Sequence, residues 1–256
     1  MKRIFIIATS ILMAIQAMAL DFVPKAGLTW QVFAGLNVSN MSNYSEAWDI
    51  SAYDAKCGAN FGVRGEYMLP NAYGVYASFG ANWSQKGARK AFDIIGDNHK
   101  DDNIVQAHFL EIPVRVGYRY NFDANWGVFG EVGPYIAMGI TGKNKVKPYD
   151  DKLADTHTMT FGKMNYYEYD PVADVYNDKN IKALQRFDCG MGFRVGAEFH
   201  NQYSVSLGYD WSFTDAWKDD FRRLYSDNEL KENNNPNARL SKLKHHNFAV
   251  SFGFRF

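Results

Sequence analysis

Eight times along the chain, apolar residues fall on every second position, and helical spacing fits none of these stretches as well. They run approximately from Leu28 to Val38, Lys56 to Leu69, Tyr73 to Ser84, Ile104 to Tyr120, Trp126 to Thr141, Phe187 to Phe199, Tyr203 to Phe213 and His246 to Phe256. A period of two sends successive side chains to opposite faces of a strand. The connections hold 17, 3, 19, 5, 45, 3 and 32 residues, so long and short alternate without exception. In an antiparallel up-and-down arrangement every long loop then leaves at one end and every tight turn at the other.

One parity carries the greasy set, including Trp30, Val32, Leu36, Phe61, Val63, Phe79, Trp83, Leu110, Ile112, Val114, Val128, Val132, Phe193, Val195, Val205 and Leu207. It ends with Phe248, Val250, Phe252, Phe254 and Phe256. The other parity is glycine, serine and asparagine with charges: Arg64, Glu66, Glu111, Arg115, Arg119, Glu131, Asp188, Arg194, Glu198, Asp210 and Arg255. Strand parity alone is compatible with a soluble, lipocalin-like barrel that hides the greasy set inside. Three features oppose that. Aromatic residues cluster beside the tight turns, at Tyr67, Tyr73, Tyr118, Tyr120, Trp126, Phe199 and Tyr203, level with Trp30, Phe254 and Phe256. Amphipathic rings favour a membrane interface, whereas a soluble interior has no reason to collect them at one rim. Thirteen glycines share the polar parity, as the narrow interior of an eight-stranded barrel requires. Finally, five positive and six negative charges on that parity nearly cancel, and buried ions need partners.

These observations predict an all-β, eight-stranded antiparallel up-and-down transmembrane β-barrel of an outer membrane, with short periplasmic turns, long extracellular loops and a charge-paired, plugged lumen. Folding the strands about their tight turns sets Arg115 opposite Glu131 and Arg194 diagonal to Asp210. Two strand-interrupting prolines, Pro113 opposite Gly133 and Pro134 opposite Ile112, meet in one strand pair, where they mark either a bulge near the upper rim or a weak seam. The last strand is expected to pair with the first near Trp30, closing the sheet at the periplasmic aromatic ring.

Residues 1–19 read as a cleaved signal peptide, with Lys2 and Arg3, an apolar run and the small-x-small site Ala17-Met18-Ala19, leaving 20–256 as one barrel domain. The 28 basic and 28 acidic residues give no electrostatic reason to expect nucleic acid. Cys57 and Cys189 sit on the apolar parity of distant strands and are not expected to bond.

The stretch FLEIPVRVGYRY, Phe109 to Tyr120, followed by WGVFGEVGPYIAMGITGK, Trp126 to Lys143, resembles the PorT-like outer-membrane β-barrel family of Bacteroidota. The resemblance rests on Leu110-Glu111-Ile112-Pro113 and Gly133-Pro134-Tyr135. It implies a barrel in the outer membrane of a Gram-negative cell, in contact there with outer-membrane lipid; the aromatic last strand, ending at Phe256, resembles the signal that the barrel-assembly machinery reads during biogenesis. The family's namesake is tied to protein secretion, but no residue here carries that role across.

Candidate sites are sparse. No Ser and acid stand at recognisable spacing from His99, His108, His157, His200, His245 or His246, so no catalytic residue, metal or cofactor is assigned. The stretch from Asp97 to Asn103 resembles a calcium loop in composition but lacks its glycine and distal glutamate. Gln85 to Lys90, QKGARK, reads as a solvated loop or a contact for anionic headgroups. The tyrosine-rich MNYYEYDPVADVY in the 142–186 loop reads equally as a strand extension and as a binding surface. The expected role is therefore a non-enzymatic envelope protein, structural or contacting an envelope protein or extracellular ligand through its loops. The alternatives are an accessory of a secretion machine and a lipid-modifying enzyme.

Overall fold

The computed structural model describes residues 26–42, 54–93, 100–147, 156–157, 161, 164–170, 172–173, 175–182, 184–233 and 242–256. The proposed signal peptide lies outside them, as do Asp97 to His99 of the calcium-like stretch. Eight long strands build the barrel: β1 (Gly27–Ser42), β2 (Asp54–Met68), β3 (Val75–Asp93), β4 (Lys100–Asn121), β5 (Trp126–Lys147), β9 (Phe187–Phe199), β10 (Tyr203–Ser212) and β11 (Lys244–Arg255). Between β5 and β9 come the short β6 (Thr156–His157) and a separate hairpin of β7 (Met164–Asp170) and β8 (Val175–Ile181). A helix, α1 (Asp219–Asn233), precedes β11.

Each barrel strand pairs antiparallel with its neighbour, and β1 pairs with β11 to close the sheet. The closure reaches the tight-turn end, where the Trp30 and Phe256 backbones exchange two hydrogen bonds of 3.1 and 2.9 Å. Closure removes the free edges that lipid would leave unsatisfied. The expected parity holds: Leu36, Val116, Val132, Met138 and Phe252 are exposed on the outer surface, while ten of the eleven charges are buried and Asp210 is half-buried.

The tight turns follow from their residues. His200 and Asn201 adopt φ of 53° and 55°, a left-handed pair that suits the twist of a hairpin. In the turn between β4 and β5, the Asp123 carboxylate accepts the Asn125 and Trp126 backbone N–H groups, both at 2.7 Å. Those two donors hold its carboxyl below the ordinary aspartate range.

Three expectations about the wall need correction. The strands reach further outwards than alternation shows, β3 to Asp93 and β5 to Lys147. Across β4 and β5, Gly117 faces Glu131 and Pro113 faces Tyr135, two residues from the expected register, because the turn is centred on residue 124 instead of 123. The ladder's register shift lies between His108 and Phe109, not at the prolines. Pro134 instead faces Met191 of β9, and the β4–β5 ladder omits Val114 and Arg115. Cys57 and Cys189 are both free, as expected from their placement.

The register between β1 and β2 sets Val38 opposite Cys57 and Leu36 opposite Ala59. Directly opposed residues lie within disulfide reach. Mild oxidation of Val38→Cys is therefore expected to cross-link the two strands through Cys57, while Leu36→Cys stays reduced, as read by peptide mass mapping. The reverse pattern would refute this register.

Candidate functional site

The lumen is ordered in layers along the barrel axis. At the tight-turn end, Met68, Tyr76 and Phe129 form a small buried apolar cluster. Above it, Glu66 receives Arg119 at 2.5 Å, Arg255 at 2.7 Å and Arg194 at 3.4 Å. Glu198 takes Arg119 at 2.9 Å and Arg255 at 2.5 Å. The guanidinium of Arg119 lies 4.9 Å from the Tyr76 ring centroid, and that of Arg194 lies 4.8 Å from Phe129, so rings cover cation faces that carboxylates leave bare.

In the next layer Glu131 accepts Arg194 at 3.0 Å, Arg115 at 3.3 Å, and the hydroxyls of Tyr76 and Ser78 at 3.1 and 3.0 Å. The other arm of Arg115 reaches Asp210 at 2.7 Å. Glycine makes this crossing feasible: a Cβ on Gly192 would stand 1.8 Å from the Asp210 carboxylate and 3.0 Å from the Arg115 guanidinium. Arg64 donates to the Gln31 side-chain oxygen at 2.9 Å and covers the Phe33 ring. A cavity of about 40 Å³, bordered by Arg64, Arg115, Asp210 and Glu111, remains between this layer and the next. It has room for a few waters.

The outer charged layer is centred on Lys86, whose ammonium lies 2.6 Å from Glu111 and 3.6 Å from Asp188. Asp188 also accepts Ser212 at 2.5 Å, Thr214 at 2.6 Å and the Tyr135 hydroxyl at 3.2 Å. Above this level the interior turns apolar. Met41, Val105 and Phe109 from the strands meet Phe161, Leu184, Trp217 and Leu243 from the outer connections and Phe221 from α1. Trp217 and Phe221 stack at 4.9 Å, and Phe161 packs edge-on against Phe109 at 5.6 Å. The Phe161 ring occupies space that only a glycine at 139 leaves open, since a Cβ there would lie 2.2 Å from it. Helix α1 begins with Asp219 and Asp220, whose charge suits its N-terminus, and buries Phe221 in this cap and Leu224 one turn further on.

All eleven charges read from the sequence thus meet in one lumen, with partners partly different from those expected. Arg115 reaches Glu131 diagonally rather than across the ladder, and Asp210 is held by Arg115, not by Arg194. The residue that parity missed is Lys86. In the sequence it falls beyond the end of the third alternating stretch, within QKGARK, but β3 continues through it and turns it inwards, where it is 1% exposed. A headgroup contact by Lys86 is therefore excluded. Adding Lys86 to the set balances it: Arg64, Lys86, Arg115, Arg119, Arg194 and Arg255 against Glu66, Glu111, Glu131, Asp188, Glu198 and Asp210. Among the described residues, no group of three or more His, Cys, Asp and Glu is placed to hold a metal ion. His245 is buried in the lumen, His246 contacts the Tyr209 hydroxyl at 3.0 Å, His108 stacks on Trp83, and His200 is exposed in its turn.

Residues 16–218 match the pattern of the outer membrane protein beta-barrel domain family. The chain belongs to that family. Its apolar surface accordingly faces the lipid of an outer membrane in a Gram-negative cell. Solved structures similar to this outer-membrane barrel include the attachment invasion locus protein Ail of Yersinia pestis, at 13% identity over 91% of this chain and 100% of that one, with a TM-score of 0.32. Neisserial surface protein A is 8% identical over 90% and 99% of the two chains, with a TM-score of 0.38. OprG of Pseudomonas aeruginosa is 8% identical over 90% and 97%, with a TM-score of 0.36. No curated protein matches the chain.

Removing Lys86 leaves Glu111 and Asp188 buried without their cation. Lys86→Met is expected to cost about 3–5 kcal/mol of unfolding free energy, the usual cost of stranding one member of a buried pair. The double change Lys86→Met with Glu111→Gln should lose less than the sum of the two single changes. Urea unfolding from lipid vesicles measures this, and strictly additive losses would contradict the pairing.

Proposed function

We propose that this barrel is a non-conducting membrane anchor that presents structure outside the cell for contact with an envelope protein or an extracellular ligand. The observation carrying the reading is that side chains close the lumen at both ends and, apart from one small cavity, fill it between. An apolar cluster lies at the inner end, paired charges fill the middle, and an apolar cap at the outer mouth includes residues of the long connections themselves. Those connections therefore rest on a fixed base. The β7–β8 hairpin pairs from Met164↔Ile181 to Asp170↔Val175 as its own two-stranded sheet, apart from the barrel ladder, and Val172 at its tip is 95% exposed.

The finer placement is part of the same proposal. The Leu110–Pro113 and Gly133–Tyr135 stretches support a PorT-like barrel of Bacteroidota, exported by a signal peptide cleaved after Ala19 and inserted by the barrel-assembly machinery. Trp30, Tyr67, Tyr73, Trp126, Phe199, Tyr203, Phe254 and Phe256 are all exposed at the tight-turn end, with Tyr118 and Tyr120 half-buried beside them. That ring supports a periplasmic interface at this level. The strand lengths agree: β10 places Tyr203 and Trp211 nine positions apart inclusive, close to the roughly 9–11 residues of a tilted spanning strand.

Replacement of Met164–Ile181 by a short glycine-serine linker spares Phe161 and Leu184 in the cap. The variant is expected to keep the heat-resistant folded mobility of the wild type in gel electrophoresis and to lose partners captured by cross-linking on intact cells. Recovery of the same partners by the variant would place the contact elsewhere.

A further inference from the structure

The outer surface is not uniform at its inner end. Trp126, Phe199, Tyr203 and Phe254 are successive cross-strand partners on β5, β9, β10 and β11, and so form one row of rings. By the same registers the next row towards the membrane centre is Val128, Ala197, Val205 and Phe252. Ala197 is the one small member of that second row. Its missing bulk leaves a groove of about 280 Å³, walled by Trp126, Phe199, Tyr203, Val205 and Phe252. The walls brace one another: Trp126 and Phe199 lie 4.8 Å apart, and Tyr203 and Phe252 lie 6.3 Å apart.

We propose that this groove seats one acyl chain of a phospholipid from the periplasmic leaflet. It opens onto the lipid-facing band and is continuous with it, so hydrocarbon and not water meets its walls. It also lies at the tight-turn end, the side that faces the periplasm in such barrels. A chain descending from a headgroup at that interface passes the ring row first and reaches the Ala197 step within its upper segment. The exposed turn residues His200, Asn201 and Gln202 stand beside the place such a headgroup would occupy. That turn is fixed, since the His200 backbone N–H donates to the Asn125 carbonyl of the neighbouring turn at 2.6 Å. Walls set on paired strands are already ordered, so seating a chain costs the ordering of the chain alone. The proposal depends on the membrane placement of the barrel and is independent of any partner at the outer loops.

Native mass spectrometry of the full mature chain, extracted in mild detergent, tests it. Wild type is expected to retain one phospholipid per barrel. Ala197→Leu, which fills the groove, should retain about tenfold less at equal detergent, a change equivalent to about 1.4 kcal/mol. Val205→Trp, which fills it from β10, should do the same. Ala81→Leu, exposed on β3 away from the groove, should behave as wild type. Folded mobility in gel electrophoresis reports the integrity of each variant. Absence of bound lipid from wild type, equal retention by all variants, or lipopolysaccharide as the retained species would overturn the proposal.

Discussion

Charge neutrality inside a space that admits no bulk water is the constraint on which this barrel depends. An eight-stranded wall encloses little more than its own side chains, and lipid surrounds it. Six cations and six carboxylates placed there must find one another, because an isolated buried ion costs several kcal/mol even after relaxation. Glu66, Glu131 and Glu198 are each shared between arginines, and several arginines are shared between carboxylates. Such sharing fixes the relative positions of β2, β4, β5, β9 and β11 from the inside, while the backbone ladder fixes them along the wall.

The interior changes character with height for a physical reason. Within the lipid band the outer parity must be apolar, so polar groups are left to the lumen. Beyond that band the strands continue into water, and their inner parity turns apolar, through Met41, Val105 and Phe109. There the structure follows the logic of a soluble core, completed by Phe161, Trp217 and α1. Glycine reconciles the two regimes with the narrow bore, at Gly192 beneath the Arg115–Asp210 pair and at Gly139 beneath the Phe161 ring.

Most of the wall was legible in the sequence because a transmembrane strand cannot break its alternation. The Phe187–Phe199 strand coincides with its expected bounds, and the eleven lumen charges fall where parity places them. Lys86 was hidden because the outer parity of β3 weakens beyond Trp83, where Gln85 and Gly87 replace rings, so the strand seemed to stop. The exact partners were not legible either. Arginines reach across the bore, and a register error of two residues on β4 and β5 still leaves Arg115 within reach of Glu131. The cap was invisible for a different reason: Phe161, Leu184 and Phe221 are single apolar residues in polar connections, and only the tertiary fold brings them onto the strands. Helix α1 is short on apolar residues and is held by Phe221 on that cap, not by a strong periodic pattern.

The claim that the paired charges and the two apolar clusters seal the lumen is tested most directly by single-channel recording of the refolded barrel in planar lipid bilayers. A silent membrane at moderate voltage, with folded protein shown to be inserted, is the predicted result. A steady, reproducible conductance through the wild-type barrel would contradict it.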